Sequence, residues 1–379
     1  MKFLHTSDWH IGRSLFEFSL LPDQEYILEQ IGSVIEREQV DAVLISGDLY
    51  DRSLPSAQAV GLLDETFTDF ISRFQIPILA VSGNHDSARR IAYASRLLEK
   101  SGLYLSGGFE PLLRKVTLQD CFGPVNFFLL PYFLPQQVRL AYQDSEIRTA
   151  SQAFQKIIEQ NSDEIHPEER NILLAHGFFI KQNAEQPEIS GSETSVGASD
   201  LTDLSCADCF DYVALGHLPS AQRAGSDKMR YSGSPLKYSV DEAKSKKSVT
   251  IVELKEKGTL DIKTVPLTPR RDLRVIEGSM EELCKPELAS DDYIFARILS
   301  QGPVLNAMSR LREVYPHTLG LVFPKCMPTP TQSLSPHLAD APADLLFEEF
   351  YRQVTQEEPN RTQMEVVRKL LCELKQTLL

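Results

Sequence analysis

No run of 18 apolar residues occurs anywhere in the 379-residue chain, so no segment reads as a membrane-spanning helix. The opening "MKFLHTSDWH" turns polar after four residues and does not read as a secretory leader, so the expected compartment is the cytoplasm. Cysteine is sparse, six in all, too scattered for a disulfide framework. The close pair Cys206 and Cys209 lacks the second pair that a zinc site would need. A GxxxxGK[ST] loop is absent, which excludes ATP binding in the P-loop manner. Positive charge is in deficit, with 39 Lys and Arg against 53 Asp and Glu. The net charge of −14 argues against indiscriminate nucleic-acid binding by the whole surface. The deficit is uneven: Leu218 to Arg274 holds 13 Lys and Arg against 7 Asp and Glu. That segment is either a phosphate footprint or the solvated face of a sheet.

What is present is the composition of a globular protein, 42% hydrophobic and 24% charged, at a length that predicts two or three domains. The first half alternates apolar strands with amphipathic helices. Strands are expected at "KFLHTS", "DAVLISG", "IPILAVSG", 125–130, 171–176 and 211–216. Helices are expected over 22–39, 56–73, 88–100 and near 147–160. "MRYSGS", "SVTIVEL" and "LDIKTV" add strands, giving a layered α/β domain with a mixed sheet over 1–270. A small α+β unit follows over 271–325. Residues 326–340 lie in a stretch with five prolines in 19 residues, a linker by composition. Two helical patterns fill 341–379, and two helices alone cannot bury both of their apolar stripes.

Five polar clusters stand at or just after strand ends: "DWH" (Asp8, His10), "GDLYDR" (Asp48, Asp51, Arg52), "GNHD" (Asn84, His85, Asp86), "AHG" (His176) and "GH" (His217). Singly each has a bland reading, as a cap, a turn or a rim histidine. Reactive groups in open α/β sheets gather beyond the carboxyl ends of strands, so the five are expected to meet. Asp8, His10, Asp48, Asn84, His176 and His217 are too many for one tetrahedral ion. Their chemistry suits manganese, iron or zinc. Asp48 can bridge two ions that hold a phosphate between them.

These motifs resemble the calcineurin-like metallophosphoesterases. "MKFLHTSDWHIG", "VSGNHDSA" and "RYSGSPLKYSVDEAKSKK" are similar to one branch, the SbcD subunits of bacterial SbcCD nucleases. The resemblance implies a layered metallophosphoesterase sandwich with mixed sheets, a small α+β cap domain and a C-terminal helix pair. It implies two manganese ions, the first served by Asp8, His10 and Asp48 and the second by Asp48, Asn84, His176 and His217. His85 would serve the leaving oxygen, with Asp86 orienting it, and Asp51 and Arg52 would support the ligands. It further implies hydroxide attack on DNA phosphodiesters, with exonuclease and single-strand endonuclease activity in DNA repair, recombination and replication. An SbcC ATPase chain would dock on the C-terminal helices, and helices 56–73 and 88–100 would pair two copies into a homodimer.

One position departs from the pattern. Pro219 stands where the family carries a further histidine for the first ion. Three consequences are open: a weak first site, substitution by Gln222, or a degenerate chain that bridges DNA without cutting it. A small-molecule phosphodiesterase on the same fold is the other alternative.

Overall fold

The computed structural model describes residues 1–181, 201–300, 302, 304–324, 342–355 and 358–377, the side chains of 353–355 and 372–377 excepted. They form two units, Met1–Leu273 and Arg274–Leu379.

The strands of the first unit are, in chain order, β1 (Lys2–Thr6), β2 (Ala42–Ser46), β3 (Ile78–Val81), β4 (Leu103–Ser106), β5 (Arg114–Asp120), β6 (Gly123–Leu130), β7 (Arg170–His176), β8 (Tyr212–Gly216), β9 (Gln222–Ser226), β10 (Met229–Tyr231), β11 (Ser248–Leu254) and β12 (Leu260–Pro266). They make two six-stranded sheets, of order β12-β11-β1-β2-β3-β4 and β9-β10-β8-β7-β6-β5. Both are mixed. β1 to β4 run parallel while β11 and β12 join antiparallel, and β6, β7, β8 and β10 run parallel between antiparallel edges.

Every residue of β2 is buried, which is why its sequence is a continuous apolar run rather than an alternation. The inner faces of the sheets meet through Phe3, Leu44, Leu79, Phe127, Leu174 and Tyr212. Helices cover the outer faces. In α1 (Leu21–Glu38) the stripe Ile27, Leu28, Ile31, Val34 and Ile35 is buried, and Pro22 sits in the first turn, where no amide donor is lost. In α2 (Ala57–Phe74) the Ser56 hydroxyl accepts from the Ala59 amide at the N-terminus. In α3 (Ala150–Gln160) Thr149 and Gln152 form a capping box, and Phe154 and Ile157 pack beneath the second sheet.

Two expectations differ from what forms. The helix over 88–100 is broken into Ala88–Ile91, Ser95–Leu98 and a 3-10 turn at Glu99–Ser101, because Ala94 takes a left-handed conformation, φ 55°. The strands β4 and β5 were not anticipated; β5 lies at a sheet edge with only Val116 buried, so its apolar alternation is weak. Cys206 and Cys209 lie on a 3-10 turn as free thiols, and no third ligand joins them among the described residues.

The second unit holds a three-stranded sheet of β13 (Leu273–Gly278), β14 (Tyr293–Ile298) and β15 (Thr318–Val322), with β14 central. Met280, Leu283, Ile294, Ala296 and Leu311 form its core. Helices Ala343–Thr355 and Arg361–Thr377 belong to this unit and are joined by a Gln363–Tyr351 hydrogen bond of 3.0 Å. The expected linker 326–340 lies outside the described residues.

The two sheets meet tightly at one point. A Cβ at Gly216, the last residue of β8, would lie 1.9 Å from the Ser46 carbonyl oxygen at the end of β2. Gly216→Ala is expected to destabilise the first unit by roughly 3 kcal/mol, the upper end of the usual overpacking cost. Chemical denaturation in EDTA checks this, and an unchanged midpoint would show that the strand ends separate freely.

Candidate metal centre

The five clusters converge because the strands before them are neighbours. Asp8 and His10 follow β1, Asp48 follows β2, and Asn84 follows β3, three adjacent parallel strands. His176 closes β7 and His217 follows β8, an adjacent parallel pair in the other sheet. The backbone is bent to aim them: Asp8, His10, Asp48 and His217 have φ of 53°, 44°, 51° and 110°. Left-handed backbone at side-chain-bearing residues is uncommon and gathers at functional sites. Gly47, at φ 90°, is required twice over, since a Cβ there would stand 2.3 Å from His176 Nδ1. At Gly83 the constraint is close approach alone, a Cβ lying 2.0 Å from Asp48 Oδ1.

Asp48 stands at the centre and is fully buried. Its Oδ1 accepts from the His85 amide at 2.9 Å. Its Oδ2 lies 3.4 Å from His176 Nε2 and 3.7 Å from His10 Nε2, with no hydrogen-bond partner among the described residues. Ligand atoms of Asp8, Asp48 and His176 lie within 4.8 Å of one another. Asn84 Oδ1 is 2.9 Å from His176 Nε2 and 3.1 Å from His217 Nδ1. The Asp8 carboxylate accepts from the His217 amide at 3.0 and 3.1 Å and from the Ser7 hydroxyl at 2.5 Å.

The electrostatics call for a cation. Burial lifts the Asp8 carboxyl to about 7, with His176 opposing and Asp48 adding. Burial works to raise Asp48 too, but the attraction of His176, helped by His10 and His85, holds it well below the usual range. Burial disfavours charge on His176, yet Asp48 and then Asp8 raise it to about 10. Its two ring nitrogens face acceptors, the Ser46 carbonyl at 2.7 Å and Asn84. The Ser46 carbonyl keeps Nδ1 as the donor and the ring oriented, which leaves Nε2 as the nitrogen that a divalent ion would take. Burial lowers His10 and His217 to about 3, leaving neutral imidazoles able to donate lone pairs. The buried unpartnered oxygen and the neutral imidazoles fit divalent metal ions.

His85 lies beside this centre, its ring edge-on to His10 at 4.8 Å. Its Nδ1 donates to the Asp51 carbonyl at 3.0 Å. Asp86, the next residue in the chain, has other partners. Its carboxylate is occupied by the amides of Leu49, Tyr50 and Gly83 at 2.9–3.0 Å, because those turns leave three backbone donors pointing inward. Asp86 fastens the Asp48 loop to the Asn84 loop, and the Asp51 carbonyl holds the His85 ring. The Asp51 side chain lies 4.0 Å from His10 Nδ1. Arg52 is 80% exposed and only 3.5 Å from Asp51, whereas Arg13 bonds Asp51 at 2.9 Å.

Several supports were missed from sequence. Gln24 binds the His10 carbonyl at 2.7 Å, and Tyr238 binds the Trp9 carbonyl while its ring meets His10 edge-on at 5.4 Å. His5 Nε2 donates to Ser46, and Ser46 to the Ala214 carbonyl, fixing the turn that orients His176. Gln24, His5 and Tyr238 stand outside the strand-end polar clusters, so no local signal marks them. Pro219 is buried, and Gln222 opens β9 opposite Tyr231. Within the basic segment, Arg223, Lys237, Lys247, Lys255, Lys257 and Lys263 are engaged in ion pairs, so much of its charge is spent inside the fold.

Comparison with known proteins identifies the family. Residues 1–221 match the Calcineurin-like phosphoesterase family, and residues 269–355 match the Type 5 capsule protein repressor C-terminal domain. The chain is similar to the SbcD subunit of the nuclease SbcCD from Staphylococcus epidermidis, 33% identical over 98% of both chains. It is similar also to that of Staphylococcus saprophyticus, 31% identical over 99% of this chain and 98% of the relative. Among solved structures, a dimetal phosphatase from Danio rerio covers 71% of this chain and 98% of its own at 13% identity, with a TM-score of 0.41.

Proposed function

The chain belongs to the calcineurin-like phosphoesterases and, among them, to the SbcD subunits of SbcCD nucleases, and from that premise we propose that it cuts DNA with two manganese ions held where the strand ends meet. The observation that carries the proposal is Asp48 Oδ2, buried and unpartnered between His10 and His176. Asp8, His10 and Asp48 hold the first ion; Asp48, Asn84, His176 and His217 hold the second. Carboxylate and imidazole donors without thiolate favour manganese over softer ions. When bound, the ion pair supplies an activated water and the positive charge that faces a phosphodiester. The chain does the rest: Asp48 and His217 fix the spacing, and His85 gives a proton to the departing 3′-oxygen. Asp51 serves twice, its carbonyl aiming His85 and its carboxylate, gripped by Arg13, facing His10.

The substrates are duplex ends, cut as an exonuclease, and single strands, cut as an endonuclease. The apolar side chains Leu345, Phe350, Val366 and Leu370 are half-exposed on the two C-terminal helices, and these dock on the SbcC ATPase chain. Val60, Tyr93 and Leu97 are exposed on α2 and the broken helix, the face through which two copies pair. No helix among the described residues is long and apolar enough to cross a membrane.

The test is cleavage of linear duplex and hairpin DNA in manganese, with and without the ATPase chain. Metal-dependent cutting that EDTA stops is the expected result. Turnover of a chromogenic phosphodiester with no cutting of DNA would overturn the nuclease reading in favour of a small-molecule phosphodiesterase. No turnover of either at any manganese concentration would leave a non-catalytic, DNA-bridging role.

A further inference from the structure

Lys247 and Glu242 form an ion pair in the interior of the first unit, with side chains only 4% and 1% exposed. The Lys247 ammonium spends its three hydrogens on Glu242 Oε2 at 2.5 Å, the Pro219 carbonyl at 2.7 Å and Ser234 Oγ at 2.8 Å. The Ser234 amide also reaches the Pro219 carbonyl, at 3.2 Å. Glu242 Oε1 in turn accepts from the Tyr238 amide at 3.3 Å and the Ser239 hydroxyl at 3.2 Å. Tyr238 is the residue whose hydroxyl binds the Trp9 carbonyl and whose ring lies against His10. One ion pair thus ties together the two turns that carry His10 and His217.

Stability alone does not account for it. Burying two charges costs several kcal/mol per ion by general estimate, and apolar replacements of such pairs are often neutral or better. What an ion pair with a fixed fan of hydrogen bonds gives is position. Position is what this loop requires, because the Pro219 side chain has no lone pair with which an ion could hold it, and its carbonyl remains as the handle.

We propose that Lys247 is a positioning residue for the metal centre: paired with Glu242, it grips the Pro219 carbonyl and sets the distance between the His10 and His217 turns. The proposal rests on the two-ion reading above. Lys247 touches no ligand side chain and acts through backbone, so its loss changes metal affinity rather than ligand identity.

Manganese titration by calorimetry on the full chain, with thermal unfolding in EDTA, tests this. Lys247→Met leaves Glu242 charged and unpaired and is expected to lower the unfolding temperature, which by itself decides nothing. The variant that decides is Lys247→Met combined with Glu242→Gln, which removes both charges together. It is expected to unfold within a few degrees of the parent and still bind one of its two ions about 10–100-fold more weakly, the usual effect of removing a support behind a metal ligand. Lys247→Arg, which keeps Glu242 paired but reaches differently, carries the same expectation for affinity and serves if the double variant fails to fold. Parent-like affinity for both ions in a folded variant overturns the proposal. A parent that binds fewer than two ions overturns the two-ion reading instead, and the parent titration shows that before any variant is made.

Discussion

Asp48→Asn is expected to empty the metal centre and abolish cleavage in a single step. The side chain has no exposure, and asparagine copies its shape, so the fold has little reason to change. The Oδ1 acceptor for the His85 amide is preserved. What changes is the other atom. In place of an unpartnered oxygen between His10 Nε2 and His176 Nε2, an NH₂ group stands at the point where a bridging donor is needed. The negative charge that raises His176 is lost as well. Removing a mere support behind a ligand costs about 10–100-fold in metal affinity, and a bridging ligand touches both ions, so binding is expected to weaken by more than about 100-fold. Metal content after dialysis against manganese, measured beside DNA cleavage, checks this. A variant that keeps two ions per chain would remove Asp48 from the bridging position.

The convergence of the candidate residues was legible because each is a polar residue that interrupts or ends an apolar run, and parallel strands place such interruptions on one edge. "DAVLISGD" shows the rule: five buried strand residues, a glycine with positive φ, then Asp48. The supports were not legible, because they act across the chain through backbone carbonyls. Tyr238 and Trp9 are 229 residues apart, and Lys247 reaches Pro219 over 28. "YSVDEAKSKK" looks like a solvated charged turn, yet it contains a buried ion pair, and nothing local distinguishes Lys247 from Lys246. The partners of Asp86 were not legible for a related reason: it follows His85 in sequence, yet the turn sends the two side chains to different partners. The broken helix after Ala88 shows the same limit, since the apolar spacing there continues through Ala94 while the backbone does not.

His85→Ala is expected to lower cleavage of DNA by about 10²–10⁴-fold while leaving both ions bound. The two halves of the residue do different work, which is what makes the outcome sharp. Its backbone amide donates to Asp48 Oδ1, and any residue except proline retains that bond, so the bridging carboxylate stays in place. Its ring is held through Nδ1 by the Asp51 carbonyl, and on the proposed reading Nε2 is the atom that hands a proton to the leaving oxygen. A leaving 3′-alkoxide needs that proton, whereas a nitrophenolate leaves without one. The substitution should therefore cost far less on a nitrophenyl phosphodiester than on DNA. Equal losses on both substrates with metal content intact would assign His85 to binding the phosphate. Loss of an ion along with the activity would make it a ligand, and the imidazole beside His10 would then belong to the first site.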